Sequence, residues 1–217
     1  MPTAFFFKNW ILGKESMTKQ IFPLALGGLA IGTTEFIIMG LLPDVAKDLG
    51  VSIPIAGHLI SAYAFGVVVG APILVALSSK FPPKNILIVY MILFTLFNAL
   101  SIIAPDYNTL LMSRFLAGLP HGAFFGVGTI VAIKLSKKGK EAQAVSSMFT
   151  GLTLAILLLV PLLTYIGHNT SYKWAFLIVS LLGIFTILAL IKFMPKLKSL
   201  KTVTFKEEIE FFLTFKA

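Results

Sequence analysis

Six long apolar stretches separated by short polar joints make up most of this chain. They fall at Ile21–Leu42, Ile55–Leu77, Ile86–Ala104, Leu110–Ile133, Val145–Ile166 and Trp174–Met194. About 20 apolar residues are needed for a helix to cross the hydrocarbon core, so each stretch predicts one spanning helix. The joints carry turn chemistry: Pro43-Asp44, Pro82-Pro83, Pro105-Asp106, Lys138-Gly139 and Gly167-His168-Asn169.

Two segments lie outside this pattern. Residues 1–16 form an N-terminal extension with Phe5-Phe6-Phe7 and Trp10-Ile11-Leu12, without a span or a small-x-small cleavage site. It reads either as an interfacial segment or as the product of an upstream start codon. Met17-Thr18-Lys19-Gln20 leads directly into the first span, which favours Met17 as the working start and 17–194 as the bundle. Residues 195–217 form a polar, lysine-rich tail. Phe205, Ile209 and Phe212 recur there at helical spacing and predict a short amphipathic helix.

Composition agrees with the pattern. Hydrophobic residues are 57% of the 217 and charged residues only 12%, against about 25% charged in soluble domains. The expectation is an all-α integral membrane protein with six transmembrane helices. There are no cysteines, which removes disulfides and thiolate metal sites.

The net charge of +9 raises nucleic acid as a partner, and its distribution argues against one. With the N-terminus inside, the cytoplasmic segments hold Lys8, Lys14, Lys19, Lys80, Lys84, Lys134, Lys137, Lys138, Lys140 and the six lysines from Lys192 onward. The outer joints hold only Lys47 and Lys173. This bias places both termini in the cytoplasm. The charge is topological, with membrane lipids as its partners.

Two residues are expensive where they stand. Arg114 lies near the start of the fourth span, where a guanidinium costs at least ~2.5–3.5 kcal/mol. Glu35 lies about seven residues from the outer end of the first span, a depth of ~10 Å against ~6 Å for Arg114. They can pair directly or face one water-filled cavity. The structural alternatives are an interhelical ion pair or snorkelling of Arg114 to the headgroups. Intramembrane ionisable groups default to function, so both are candidates for proton coupling or cavity contact.

His121 follows Pro120, whose missing N–H frees the Leu116 carbonyl. The imidazole either answers that deficit or lines a pore. Gly118, Gly122, Gly126 and Gly128 make a thin face for helix packing. His58 reads as interfacial, and Asn98 as an interhelical hydrogen-bonding group. No catalytic cluster, metal-ligand spacing or phosphate-binding loop occurs, so neither an enzyme nor a cofactor is expected.

These residues resemble a known family. The matching stretches are Ala30–Gly40, Ser52–His58, Val67–Pro72, Arg114–Gly128, and Gly151 to Ala155 with Pro161. The chain is similar to the N-terminal half of major facilitator superfamily transporters, in the drug:proton antiporter branch and its arabinose efflux permease subgroup. The likeness covers about Met17 to Phe212. It implies one of two six-helix bundles, built from two inverted three-helix repeats, in a bacterial inner (plasma) membrane. It also implies proton-coupled efflux of sugars or drug-like molecules, with Arg114 tied to proton coupling. The tail resembles the start of the central cytoplasmic loop.

Three departures qualify the resemblance. The loop between the second and third spans has Ser79 where the family has an acid and Pro82 where it has a glycine; Lys80 and Lys84 keep its basic character. The fifth span has Ile156, Leu159 and Leu163 where the subgroup has Asn, Gly and Gly, which predicts helices wedged apart. The second bundle is missing. Three readings follow: a transporter half that needs a C-terminal half, a half-transporter that pairs with a second copy, or a decayed product without transport. Protons, lipids and a small solute of unread identity are the expected partners.

Overall fold

The computed structural model describes the backbone of residues 3–78 and 80–197, and side chains from Lys19 onward within those ranges. Ser79 and the expected tail helix lie outside the described residues. The chain runs α1 (Thr3–Gly40), α2 (Leu42–Asp48), α3 (Ile53–Ser78), α4 (Pro83–Ile103), α5 (Tyr107–Leu135), α6 (Glu141–Leu154), a π turn (Ala155–Leu159), α7 (Val160–Asn169) and α8 (Tyr172–Phe193).

Six helical stretches are long and apolar enough to cross a membrane: Lys19–Gly40, Ile53–Ser78, Pro83–Ile103, Tyr107–Leu135, Glu141–Asn169 and Tyr172–Phe193. Each contains nearly all of one predicted span. The backbone of the N-terminal extension from Thr3 belongs to α1.

Local chemistry sets the helix ends. Asp106 caps α5 by accepting from the Thr109 N–H at 2.9 Å. Ser171 caps α8 by accepting from the Lys173 N–H at 3.3 Å. Gly139 takes φ +80° in the Lys138-Gly139 joint, a left-handed turn that glycine adopts without a Cβ clash. Two expected joints are displaced. Pro43 sits in the first turn of α2, where a missing N–H costs nothing, so Pro43-Asp44 opens a helix. Gly167-His168-Asn169 remains helical, and the break falls at Thr170.

The fifth span carries a feature the pattern did not predict. A π turn covers Ala155–Leu159, just before Pro161. Proline cannot donate to the carbonyl four residues back, and its ring crowds it. A π turn opens the backbone at that point. The three positions that differ from the subgroup do not share one face: Ile156 is exposed, Leu159 half-buried and Leu163 buried. Leu163 is buried against Ile37, Leu41 and Phe176. A π turn adds one residue to a helical turn and so rotates the helix beyond it.

The helix pairings repeat with a two-fold relation. The second span packs on the fourth, and the fifth on the first; the third packs on the fourth, and the sixth on the first; the third and sixth pack on each other. Exchanging the first three spans for the last three leaves this set unchanged. The fold is thus one bundle of two inverted three-helix repeats.

Glycines form the closest seams. The position of a Cβ on Gly118 is taken by the Tyr63 carbonyl, and that on Gly66 by the Phe115 carbonyl, between α3 and α5. At the equivalent α1–α6 seam, the Cβ position on Gly151 is taken by the Ala25 carbonyl. Two apolar clusters form the core. One gathers Ile31, Phe94, Phe124, Met148 and Leu190. The other gathers Ile37, Leu41, Leu110, Leu163 and Phe176. Along α1, α4 and α5, the polar residues Thr34, Asn98 and Arg114 fall between them.

Candidate functional site

Arg114 is fully buried in this polar layer. Its Nη1 donates to the Thr34 hydroxyl and its Nη2 to the Thr34 carbonyl, each at 2.9 Å. The Thr34 hydroxyl donates onward to Asn98 Oδ1, and Asn98 Nδ2 donates to the Phe94 carbonyl at 2.8 Å. The chain of donors and acceptors is consistent in direction from α5 through α1 to α4. Beside it, Ser101 and Ser113 share a 2.8 Å hydrogen bond between α4 and α5.

Aromatic rings complete the enclosure. The Arg114 guanidinium carbon lies 4.4 Å from the Tyr63 ring centroid and 5.5 Å from that of Phe176. Ring faces attract a cation, and more strongly once it is desolvated. They partly compensate Arg114 Nε, which has no hydrogen-bond partner.

Glu35 is half-buried on α1, one residue beyond Thr34. Successive helix residues are turned by about 100°. Thr34 faces Arg114, so Glu35 is turned away from it. No ion pair joins Glu35 to Arg114, and of the two sequence alternatives direct pairing does not occur. The two charges remain within electrostatic reach. Arg114 does not snorkel, since its donors meet Thr34 inside the bundle.

His121 does not turn to the Leu116 carbonyl. Its Nδ1 meets the Tyr63 hydroxyl at 2.9 Å. Pro120 is buried, and α5 is helical on both sides of it. From Tyr63 and His121 the rings continue through Phe125, 5.3 Å from His121, to Phe149, stacked on Phe125 at 5.0 Å. This aromatic row crosses from α3 to α5 to α6.

The remaining candidates divide between helix contacts and exposed positions. The Cβ position on Gly122 lies 2.7 Å from the Ala71 Cβ, while that on Gly128 faces the Met148 sulfur on α6 at 2.9 Å. Gly126 is exposed. Pro161 is exposed after the π turn. Lys80 is exposed, whereas Lys84 Nζ donates to the Ile191 carbonyl at 2.8 Å and the Met194 carbonyl at 2.6 Å, tying α4 to the end of α8. His58 is exposed near the start of α3.

Thr34 and Tyr63 are absent from the sequence candidates. Tyr63 lies three and seven residues before Gly66 and Gly70 on one stripe of α3, a spacing that signals a face turned to a neighbouring helix.

Comparison with known proteins agrees with this architecture. The family model of the Major Facilitator Superfamily matches residues 24–215. The inner membrane transport protein YdhP of Escherichia coli K12 is 50% identical over 173 residues, covering 80% of this chain and 44% of that protein. The putative transporter AraJ of the same organism is 41% identical over 195 residues, covering 90% and 50%. The chain therefore spans about half the length of these relatives. Among solved structures, the inward-open xylose transporter XylE from E. coli has a TM-score of 0.71 at 15% identity, covering 83% of this chain and 48% of that one. A peptide transporter POT in complex with sulfate has a TM-score of 0.70 at 14% identity, covering 93% and 44%. These last two similarities concern the fold alone. Six apolar helices in an inverted-repeat bundle, a family match over most of the chain and relatives named as transporters agree: the chain belongs to the Major Facilitator Superfamily.

Proposed function

We propose that this chain forms the N-terminal half of a secondary active transporter that couples proton movement to efflux of a small solute of the sugar or drug-like class. The reading places it in a bacterial inner membrane with both termini in the cytoplasm. The observation that carries it is the Arg114–Thr34 contact beside Glu35. A fully buried cation is held between α1 and α5, equivalent helices of the two repeats, by uncharged groups alone. The neighbouring titratable residue is half-buried and electrostatically linked to it. Proton binding at Glu35 removes a negative charge from the field at Arg114. A state in which the two charges approach more closely is then less favoured, and this is the differential interaction that coupling requires. The row Tyr63, His121, Phe125 and Phe149 supplies ring faces for a solute.

A six-helix bundle forms one wall of an alternating-access cavity. In this reading the other wall is a C-terminal half or a second copy of the chain. The substitutions at Ile156, Leu159 and Leu163 favour a second reading, a product without transport activity.

The test uses everted membrane vesicles and a panel of sugars and cationic dyes. The chain is expressed alone and together with the C-terminal half of a full-length relative. The expected result is no gradient-driven accumulation by the chain alone, and accumulation with the second half that disappears in Glu35→Gln. Accumulation that survives Glu35→Gln and collapse of the pH gradient removes proton coupling. No accumulation with either partner arrangement supports the inactive product.

A further inference from the structure

A cavity of about 380 Å³ opens at the end of the bundle where α1 gives way to α2. Its walls include Asp44, Lys47 and Asp48 of α2, His168 at the end of α7, Thr170 of the linker and Tyr172 at the start of α8. None of these belongs to the Arg114 layer. We propose that this cavity binds a primary ammonium group, carried either by a small free amine or by a lipid headgroup.

The first support is an unsatisfied buried polar group. Tyr172 is 1% exposed and lines the cavity, and its hydroxyl has no hydrogen-bond partner. Buried polar groups are almost always paired, so such a group marks a place where polar chemistry is expected. Asp44 Oδ2 is buried with no hydrogen bond either. It lies 2.5 Å from His168 Nδ1, within ion-pair distance.

The second support is charge. Two carboxylates, one lysine and a histidine line the cavity. Asp44 is engaged by His168, which leaves Asp48 as the carboxylate without an ion pair among the described residues. Asp48 is within electrostatic reach of the Tyr172 phenol, so carboxylate and phenol address the same space. The Thr170 hydroxyl spends its proton on the Ile166 carbonyl at 2.6 Å, which leaves its oxygen as an acceptor. The chain's own Lys173 Nζ stands 6.0 Å over the Tyr172 ring, an example of an ammonium at this aromatic face.

These groups select a ligand class. A primary ammonium has three N–H donors and no acceptor, and it matches oxygen acceptors from Tyr172, Thr170 and the Asp48 carboxylate. A quaternary ammonium has no N–H to donate. Among the described residues, no group of three His, Asp or Glu side chains is placed to hold a metal ion.

The experiment is isothermal titration calorimetry of the purified full chain in nanodiscs of phosphatidylcholine, whose headgroup has no N–H. Ethanolamine is expected to bind saturably. Asp48→Asn, an exposed and conservative change, should weaken it about tenfold, because the charge facing the ammonium is lost. Tyr172→Phe should weaken it about threefold. Tetramethylammonium should bind at least about tenfold more weakly than ethanolamine. Glu35→Gln should leave ethanolamine binding unchanged, which separates this site from the proposed transport site. In nanodiscs containing phosphatidylethanolamine, a fall in apparent ethanolamine affinity assigns the site to the lipid headgroup. An unchanged affinity assigns it to a free amine. Absence of saturable binding in phosphatidylcholine, undiminished binding by Asp48→Asn, or equally tight binding of tetramethylammonium or magnesium overturns the proposal.

Discussion

Arg114 holds Thr34 with two hydrogen bonds of 2.9 Å, one to its hydroxyl and one to its carbonyl. The same hydroxyl donates to Asn98, so one threonine side chain joins three helices. No carboxylate shares in the arrangement. The buried cation is stabilised by dipoles and ring faces, which leaves Glu35 free to change its charge without breaking a direct bond.

This relationship predicts an unusual order of stabilities. Thr34→Val keeps the shape but leaves an Arg114 donor and the Asn98 oxygen without partners. It should destabilise the bundle by about 1–3 kcal/mol. Arg114→Met removes the cation and its donors together, and Thr34 keeps its bond to Asn98. Replacing a buried charge by an apolar side chain of similar volume is often neutral or stabilising. Arg114→Met should therefore equal or exceed the native protein in thermal unfolding in mild detergent, while Thr34→Val melts earlier. The reverse order would mean that Arg114 holds the helices together.

The glycine seams predict a second contrast. A Cβ on Gly118 or Gly151 meets a carbonyl of the facing helix, which is backbone and cannot step aside. Gly118→Ala and Gly151→Ala should each cost about 1–3 kcal/mol by overpacking. A Cβ on Gly57 meets nothing within 4 Å. Gly57→Ala should gain up to about 1 kcal/mol of helix propensity. Thermal unfolding of the three variants side by side checks this, and equal melting temperatures would rule out close backbone packing at the seams.

The spans were legible because an apolar run of about 20 residues has few other uses. Arg114 was legible because its cost in hydrocarbon is large. Its partner was not. Thr33 and Thr34 are adjacent and chemically alike, yet Thr33 bonds its own helix at the Leu29 carbonyl while Thr34 takes the guanidinium. Only the rotation of α1 against α5 distinguishes them, and that is a tertiary quantity. The π turn was hidden for a similar reason: Ala155–Leu159 is uniformly apolar, and Pro161 is the single local signal. The repeat was half visible. Gly28-Leu29 to Gly32 and Gly118-Leu119 to Gly122 share a short pattern that proves little in sequence. In the fold the two runs occupy equivalent seams, the first against Met148 and Leu152, the second against Tyr63 and Ala71.

Lys84 supplies a further prediction. Its ammonium donates to two carbonyls at the end of α8, where a helix presents unpaired acceptors and the negative end of its dipole. Lys84→Met keeps the apolar stem and removes the donors. The last turn of α8 should open more readily, by about 1 kcal/mol. Hydrogen exchange should rise severalfold for amides near residues 188–194 and stay unchanged in α1. Unchanged exchange at that end would show that packing alone holds it.

The lysine distribution predicts an orientation that the chain itself makes easy to measure. It has no cysteine, so a single introduced thiol reports one position without background. Lys138 and Asp48 are exposed at opposite ends of the bundle, one in the joint before α6 and one at the end of α2. By the positive-inside rule the lysine-rich joints are expected on the cytoplasmic side. In intact cells a membrane-impermeant maleimide should label Asp48→Cys and leave Lys138→Cys unreacted, and in everted vesicles the pattern should invert. Labelling of Lys138→Cys in intact cells would turn the bundle over, placing Glu35 in the inner half of the bilayer and the α2–α7 cavity on the cytoplasmic face.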